Sequence, residues 1–394
     1  MGFGAALGGL STGLLLIIAL ASMVLGSFSG WWTFTQRRHV QAQGTAYVVR
    51  EPVAAWADDD DQVTRFVAEL NDHFRSVREV PGPADLGRWL WPLDQADRWD
   101  ERVDELVKAF RVVQRGDVGT SDRSLFVWAR WPVAVAMMTR LLASERSARP
   151  LVIRQRPSIG RMNRVIKVDP EQPGLTFGAH HRLSPVTESG WKAWRSRWLG
   201  RSDSAGDPPA GDDAEYPGTV TVNPRKPLQP RPGAVRPGPP HVTILLLRFT
   251  NARWGPFPSL GGDPAAPAPT APSLIIDDAQ GLGIDGTAEL SIHEWRCPPV
   301  DADAQGTHRW SHFEELTEQA VEWLAQHVPG PVGEVVLLGS TMPQEIGLGL
   351  GVLLHRLDAH RWPAHVYPLV WKQGDEFVVP QLDLGRESWS HPTR

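Results

Sequence analysis

The sequence predicts an α/β protein built from two Rossmann-like half-domains in pseudo-duplication, preceded by a single transmembrane helix. Three observations carry that reading: an uncharged apolar run near the N-terminus, buried-strand patterns alternating with amphipathic ones, and a second half that repeats the order and spacing of the first. A chain of 394 residues with 41% hydrophobic content has enough apolar side chains for two or three domains. Its net charge of −5 gives no global basic field, which argues against duplex nucleic acid as a partner and confines phosphate recognition to local sites. The single cysteine, Cys297, excludes an intramolecular disulfide framework and a cysteine-based zinc cluster.

The N-terminal run, LGGLSTGLLLIIALASMVL from Leu7 to Leu25, approaches the ~20 apolar residues that a helix needs to cross hydrocarbon. Trp31 and Trp32 stand where an interfacial aromatic belt falls, and Arg37 and Arg38 follow. Nothing basic precedes the run, so the positive-inside rule places the rest of this single-pass chain in the cytosol. A cleaved signal peptide is the rival reading, but it wants a charged n-region and a small-residue cleavage site, and neither is clear. Gly4, Gly8, Gly9 and Gly13 would let such helices approach one another closely.

Beyond the anchor, assigned to residues 1–36, a first half is expected over 37–200, a Pro/Gly-rich linker or insertion over 201–240, and a second half over 241–394. The first half opens with a short strand, Ala46–Arg50. The acidic run Asp58–Asp61 then leads into an amphipathic stretch, Val63–Phe74, as acids at a helix N-terminus do. After a Trp-rich connector come a helix over 101–114, with Val103, Leu106, Val107, Phe110 and Val113 on one face, and a buried strand, Leu125–Ala129. In the second half, Val242–Phe249, Leu274–Asp277 and Thr287–Ile292 read as strands.

The duplication is seen by laying one run over the other. Helix 101–114, strand LFVWAR, helix WPVAVAMMTRLL, strand PLVIRQR and a hairpin into RVIKVD match helix Phe313–His327, strand VVLLGS, helix MPQEIGLGLGVLL, strand VYPLVWK and a hairpin through Gly374 into FVVPQLD. Pro132 and Pro343 both fall at the start of the helix that leaves the first strand, where proline is favoured. Two unrelated α/β segments with a common rhythm are the alternative.

The proline-started, Gly-rich helix, the following strand, the aromatic-Lys turn and the final VPQLDLG resemble the C-terminal half of SAVED domains, over residues 100 to 386 and most strongly over the last 75 or so. Such proteins are fused pairs of CARF-like Rossmann halves that sense cyclic oligonucleotides in bacterial anti-phage systems, often fused to a nuclease, a protease or transmembrane helices. The resemblance implies a membrane-anchored sensor and effector of the cell inner membrane. It would bind a cyclic oligonucleotide, form homo-oligomers and disrupt the bilayer, with lipid met through the N-terminal helix and no cofactor. Two other readings stay open: a ring-nuclease-like enzyme that degrades the same ligand, and a membrane-tethered protein-binding scaffold.

In an open parallel sheet a ligand sits beyond the carboxyl ends of the strands. That selects Arg130 and Trp131 after LFVWA, and Ser340 and Thr341 after VVLLG. Arg130 suits phosphate, Trp131 offers a stacking face, and the two hydroxyls donate or cap. Gln344 could read a base edge, and the ends of the next strands add Arg154, Arg156, Trp371 and Lys372. Each has a plainer role: N-caps for Ser340 and Thr341, solvent for Arg130, interface packing for Trp131 and solvated hairpins for the last four.

Gly347, Gly349 and Gly351 lie inside a helix rather than in a strand-to-helix turn, so close helix packing explains them better than a dinucleotide fingerprint does. The histidines carry no zincin pattern, Cys297 has no evident base partner, and no catalytic constellation stands out. Trp191, Trp194 and Trp198, interleaved with Lys192, Arg195, Arg197 and Arg201, suit either an interfacial membrane helix or a packing helix.

Overall fold

The structure, a computed structural model, describes residues 12–42, 44–51, 60–81, 93–117, 123–144, 151–154, 175–177, 212–224, 241–249, 273–278, 281–282, 286–297, 313–327, 334–356, 362–373 and 376–389. Arg156, the hairpin at 164–169, Gly374 and the Trp-rich stretch 191–201 lie outside these residues.

The first half contains β1 (Thr45–Arg50), α2 (Asp60–His73), β2 (Ser76–Val80), α3 (Trp99–Arg115), β3 (Arg123–Trp128), α4 (Trp131–Ser144), β4 (Leu151–Ile153) and β5 (Leu175–Phe177), after a leading helix α1 (Thr12–Ala42). The second contains β6 (Asp212–Pro224), β7 (His241–Arg248), β8 (Ser273–Asp278), β9 (Gly286–Arg296), α5 (Phe313–His327), β10 (Glu334–Ser340), α6 (Gln344–Arg356), β11 (Tyr367–Gln373) and β12 (Glu376–Val379).

The sheet of the first half runs β2-β1-β3-β4-β5. Its β2–β1, β1–β3 and β3–β4 pairs are parallel and its β4–β5 pair is antiparallel. In the second half β9-β7-β10-β11-β12 repeats that order, with the same three parallel pairs and the same antiparallel one. The repeat is therefore one of topology as well as of sequence rhythm.

Strand side chains alternate between faces, and the burial follows that period of two. Tyr47, Val49, Leu125 and Val127 face a layer formed by α3, α4, α6 and α5, and so do Leu245, Leu247, Val336 and Leu338 from the second sheet. One apolar core thus joins both halves through their helices. Opposite faces are covered differently. In the first half Ala46, Val48, Phe126 and Trp128 pack on Val63, Phe66 and Leu70 of α2. In the second half β6 and β8 join β12 to β9, so the sheet closes into a barrel around Val242, Ile244, Leu290, Leu337 and Phe377.

This corrects two expectations. The second half is a closed barrel rather than an open sheet, and the 201–240 stretch, read as a linker or insertion, contains β6, which pairs with both β8 and β9. Strand β12 also ends at Val379, and Pro380–Leu384 leave it as an irregular segment. There Asp383 accepts hydrogen bonds from the backbone N–H groups of Val366 (3.1 Å) and Gly385 (2.7 Å) and sits 2.7 Å from His365 Nδ1. A Cβ on Gly385 would lie 2.5 Å from His365 Cα and would strike the Ala364 carbonyl oxygen. The LDLG signature is thus a backbone clasp.

Helix α1 stands apart: every side chain described in it, 17–33, is exposed, including Ile17, Leu20, Val24, Leu25, Phe28, Trp31 and Trp32. Among the described residues no helix is long and apolar enough to cross a membrane. Side chains are described in α1 only over 17–33. The first part of the predicted span lies outside them.

Candidate functional site

Strand order 2-1-3-4-5 reverses direction between β1 and β3, and in such sheets the crevice beyond the carboxyl ends at that switch point is where ligands bind. The second half has its switch point between β7 and β10. The ends of these strands therefore define the site: Glu51 after β1 and Ala129–Arg130 after β3, then Phe249 after β7, and Ser340 at the end of β10 with Thr341 after it.

The two crevices are brought to one edge by α4 and α6. In α4 every residue from Trp131 to Leu141 is buried, as expected of a helix apolar all round. A Cβ on Gly347 would lie 3.3 Å from Ala134 Cβ, and one on Gly351 would lie 2.8 Å from Met138 Cβ. Both pairs differ by the same offset, 347 − 134 = 351 − 138 = 213, which makes the helices parallel. It also matches their first residues, Trp131 and Gln344, so positions equivalent by their place in each helix meet at a pseudo-two-fold axis, two residues out of step with the sequence alignment of Pro132 on Pro343. Backbones approach this closely because glycine carries no side chain: the same added atoms would lie 3.2 Å from the Trp131 carbonyl oxygen and 2.7 Å from that of Val135. Gln344, opening α6, accepts a hydrogen bond from Ala129 N–H at 2.9 Å and ties one crevice to the other.

Within the first crevice, Arg130 does not reach into solvent. Its backbone N–H and Nε donate to Glu51 Oε2 and Oε1 at 2.7 and 2.6 Å, its Nη2 also bonds Oε1, and its guanidinium lies 3.9 Å from the centre of the Trp99 ring. The Glu51 side chain has 0% exposure. Trp131 is buried in the helix interface, so its ring is not displayed as an open stacking platform. In the second crevice Ser340 Oγ donates to the Leu247 carbonyl and accepts Met342 N–H, both at 2.9 Å, a hydroxyl turn that ends before α6 begins and so does not cap it. Thr341 Oγ1 accepts Phe249 N–H at 3.0 Å and remains half-buried at the mouth. Below it, buried Arg248 lies 3.5 Å from Glu294, which also takes Arg296 at 3.0 Å.

Trp371 and Lys372 lie on β11 just past the residue level with Ser340, both partly exposed, with the Lys372 ammonium 3.8 Å from Glu376. Both lie at the carboxyl end of β11, the strand next to β10. Arg154 is drawn elsewhere: its Nε donates to Ser124 Oγ near the start of β3 at 2.7 Å. Sequence reasoning missed Glu51, Trp99 and Gln381. The Gln381 backbone bonds Ala96 and Asp100 at 2.7 and 2.8 Å, stitching the tail of the second half to the first. A usable signal was present only for Glu51, an acid directly after a buried strand at a switch point.

Burial pushes the Cys297 thiol up to about 12, away from the thiolate form. Among the described residues no group of three or more His, Cys, Asp or Glu is placed to hold a metal. An open groove of about 480 Å³ between β2 and the end of α3, lined by Arg78, Glu79 and Val112 among others, lies toward the opposite edge of the sheet.

The fold and these crevices define a two-halved Rossmann-like α/β protein. No family model matches the chain, and no curated protein matches it. Among solved structures it is similar to the Acinetobacter baumannii Cap4 SAVED/CARF-domain containing receptor with the cyclic trinucleotide 2'3'3'-cAAA, at 11% identity and a TM-score of 0.30. That match covers 76% of this chain, and the chain spans about half (52%) of the length of that receptor.

Proposed function

We propose that the protein is a receptor whose ligand lies across the pseudo-two-fold edge, that this ligand is a cyclic oligonucleotide, and that α1 holds the receptor at the inner membrane, where assembly of bound chains compromises the bilayer in anti-phage defence. The supporting observation is the contact of equivalent residues of α4 and α6, which sets two switch-point crevices side by side. A ligand that fits such an edge presents like groups twice, as a ring of nucleotides does. Phosphate is met in the second crevice by the Thr341 hydroxyl, the start of α6 and Lys372, and Trp371 gives a base an exposed ring face. Gln344, already turned across the axis, reads a base or ribose edge.

For the membrane, support comes from the sequence Leu7–Leu25 and from an apolar helix exposed all round, with Phe28, Trp31 and Trp32 gathered near one end. Calorimetric titration of the full chain in detergent with cyclic di-, tri- and tetranucleotides tests the ligand. Saturable binding of one ring, weakened at least tenfold by Lys372→Ala or Thr341→Ala, is the expected result. A folded chain that binds none of the panel overturns it.

A further inference from the structure

The two crevices use the same backbone contact with donor and acceptor exchanged. In the second, the residue after β7 (Phe249) donates its N–H to a neutral side chain after β10 (Thr341). In the first, a residue after β3 (Arg130) donates its N–H to a charged side chain after β1, and the carboxylate of Glu51 also takes the Arg130 guanidinium. A guanidinium and a helix-leading amide on one oxyanion is how proteins hold phosphate. Here the oxyanion is the chain's own and is fully buried.

We propose that Glu51 is a built-in anion that fills the phosphate position of the first half, so that the receptor is one-sided and takes ligand phosphate only in the second half. In the first crevice Glu51 balances the Arg130 charge where it sits. Trp99, stacked on the Arg130 guanidinium, closes the remaining side and holds the pair in register. The inference rests on the reading above for the ligand's identity, while the filled position stands on its own contacts.

Removing the charge without changing the shape opens the position. Full-length Glu51→Gln, titrated calorimetrically with inorganic pyrophosphate, is expected to bind one more pyrophosphate per chain than the unsubstituted protein. That added site is expected to weaken at least tenfold in Glu51→Gln/Arg130→Ala. A folded Glu51→Gln protein with unchanged stoichiometry overturns the proposal, as does an added site that survives loss of Arg130. Should Glu51→Gln not fold, Glu51→Ser removes the charge and leaves the position open; it is then expected to gain the added pyrophosphate site, and no gain in that folded variant overturns the proposal equally. If the cyclic-nucleotide panel fails while Glu51→Gln gains pyrophosphate, the ligand assignment falls and the internal anion stands; the reverse pattern removes the internal anion alone.

Discussion

Substitution of Gly351 by alanine tests the pseudo-two-fold contact most sharply, because Gly347 supplies an internal control one turn earlier. An added Cβ at 351 would lie 2.7 Å from the Val135 carbonyl oxygen and 2.8 Å from Met138 Cβ, against 3.4–4 Å for ordinary contact. Backbone cannot rotate away as a side-chain tip can, so α4 and α6 must part by roughly 0.6–1 Å, an overpacking that costs about 1–3 kcal/mol. Alanine in a helix interior returns about 1 kcal/mol relative to glycine. The net expectation for Gly351→Ala is therefore a loss of up to about 2 kcal/mol. At Gly347 the added Cβ meets Trp131 O at 3.2 Å and Ala134 Cβ at 3.3 Å, which needs only a few tenths of an ångström of give. There the propensity gain offsets the strain, and Gly347→Ala is expected to be neutral or stabilising by up to about 0.5 kcal/mol. Thermal unfolding of the full chains in one detergent, followed by circular dichroism, should rank Gly347→Ala at or above the unsubstituted protein and Gly351→Ala a few °C below it. A Gly351→Ala protein that melts with or above Gly347→Ala would refute the close parallel packing, and with it the shared edge.

Gln344→Ala removes the acceptor for Ala129 N–H, at a cost of about 1 kcal/mol. Hydrogen exchange of the segment around Trp128–Arg130 is expected to quicken, and unchanged protection would show that the link between the crevices does not form. Asp117 lies at the opposite edge of the first sheet. Burial raises its carboxyl, but hydrogen bonds from Thr45 and Tyr47 and the nearby Arg78 and Arg123 outweigh that and hold it below the ordinary value. Its folded pKa is thus below the unfolded value of about 3.9, so its stabilisation is present above about pH 4 and is lost as pH falls through the lowered value. Asp117→Asn should therefore be less stable than the unsubstituted protein at pH 7 and nearly equal to it at pH 2, and an equal deficit at both pH values would count against the ionic account. Gly385→Ala drives a Cβ into the Ala364 carbonyl and should leave little folded protein, measured as the monodisperse fraction recovered; normal recovery would mean that the clasp around Asp383 is not tight.

The sequence pattern located the elements that bury an apolar face on a simple period. α5 was placed at its observed bounds, α3 and β7 within two residues of theirs, and the three glycines of α6 were read as packing residues, which Gly347 and Gly351 are. Strands with another logic were not legible. β2, SVREV, carries charges on an edge, β5 is three residues long, and β6, DDAEYPGTVTVNP, has acidic residues, Pro and Gly in its first half. Its propensity reads as loop, yet β9 pairs with it from Asp212 to Val222 and β8 with its second half, Thr219 to Pro224. At the site, position along the chain was readable because strand ends can be counted, but partnership was not. Nothing in the order of residues couples Arg130 to Glu51, 79 positions earlier, or Ala129 to Gln344, 215 positions later.

That difference between position and partnership also explains why the duplication is clear in strand order and blurred in chain length. Each half must cover the sheet face turned away from the shared helical layer. The first does so with α2, whose Val63, Phe66 and Leu70 lie on Ala46, Val48, Phe126 and Trp128. The second has no helix in that role among the described residues. Two further strands, β6 and β8, curl the sheet until its outer face becomes the lining of a barrel. Closure removes two sheet edges, β9 and β12, that would otherwise invite pairing with other chains, whereas the first half leaves β2 and β5 at its margins. The helical layer and the carboxyl-edge loops sit on the other side of both solutions and are untouched by the choice. Divergence is therefore concentrated on the outer faces, while the helical layer and the pseudo-two-fold edge are common to both halves.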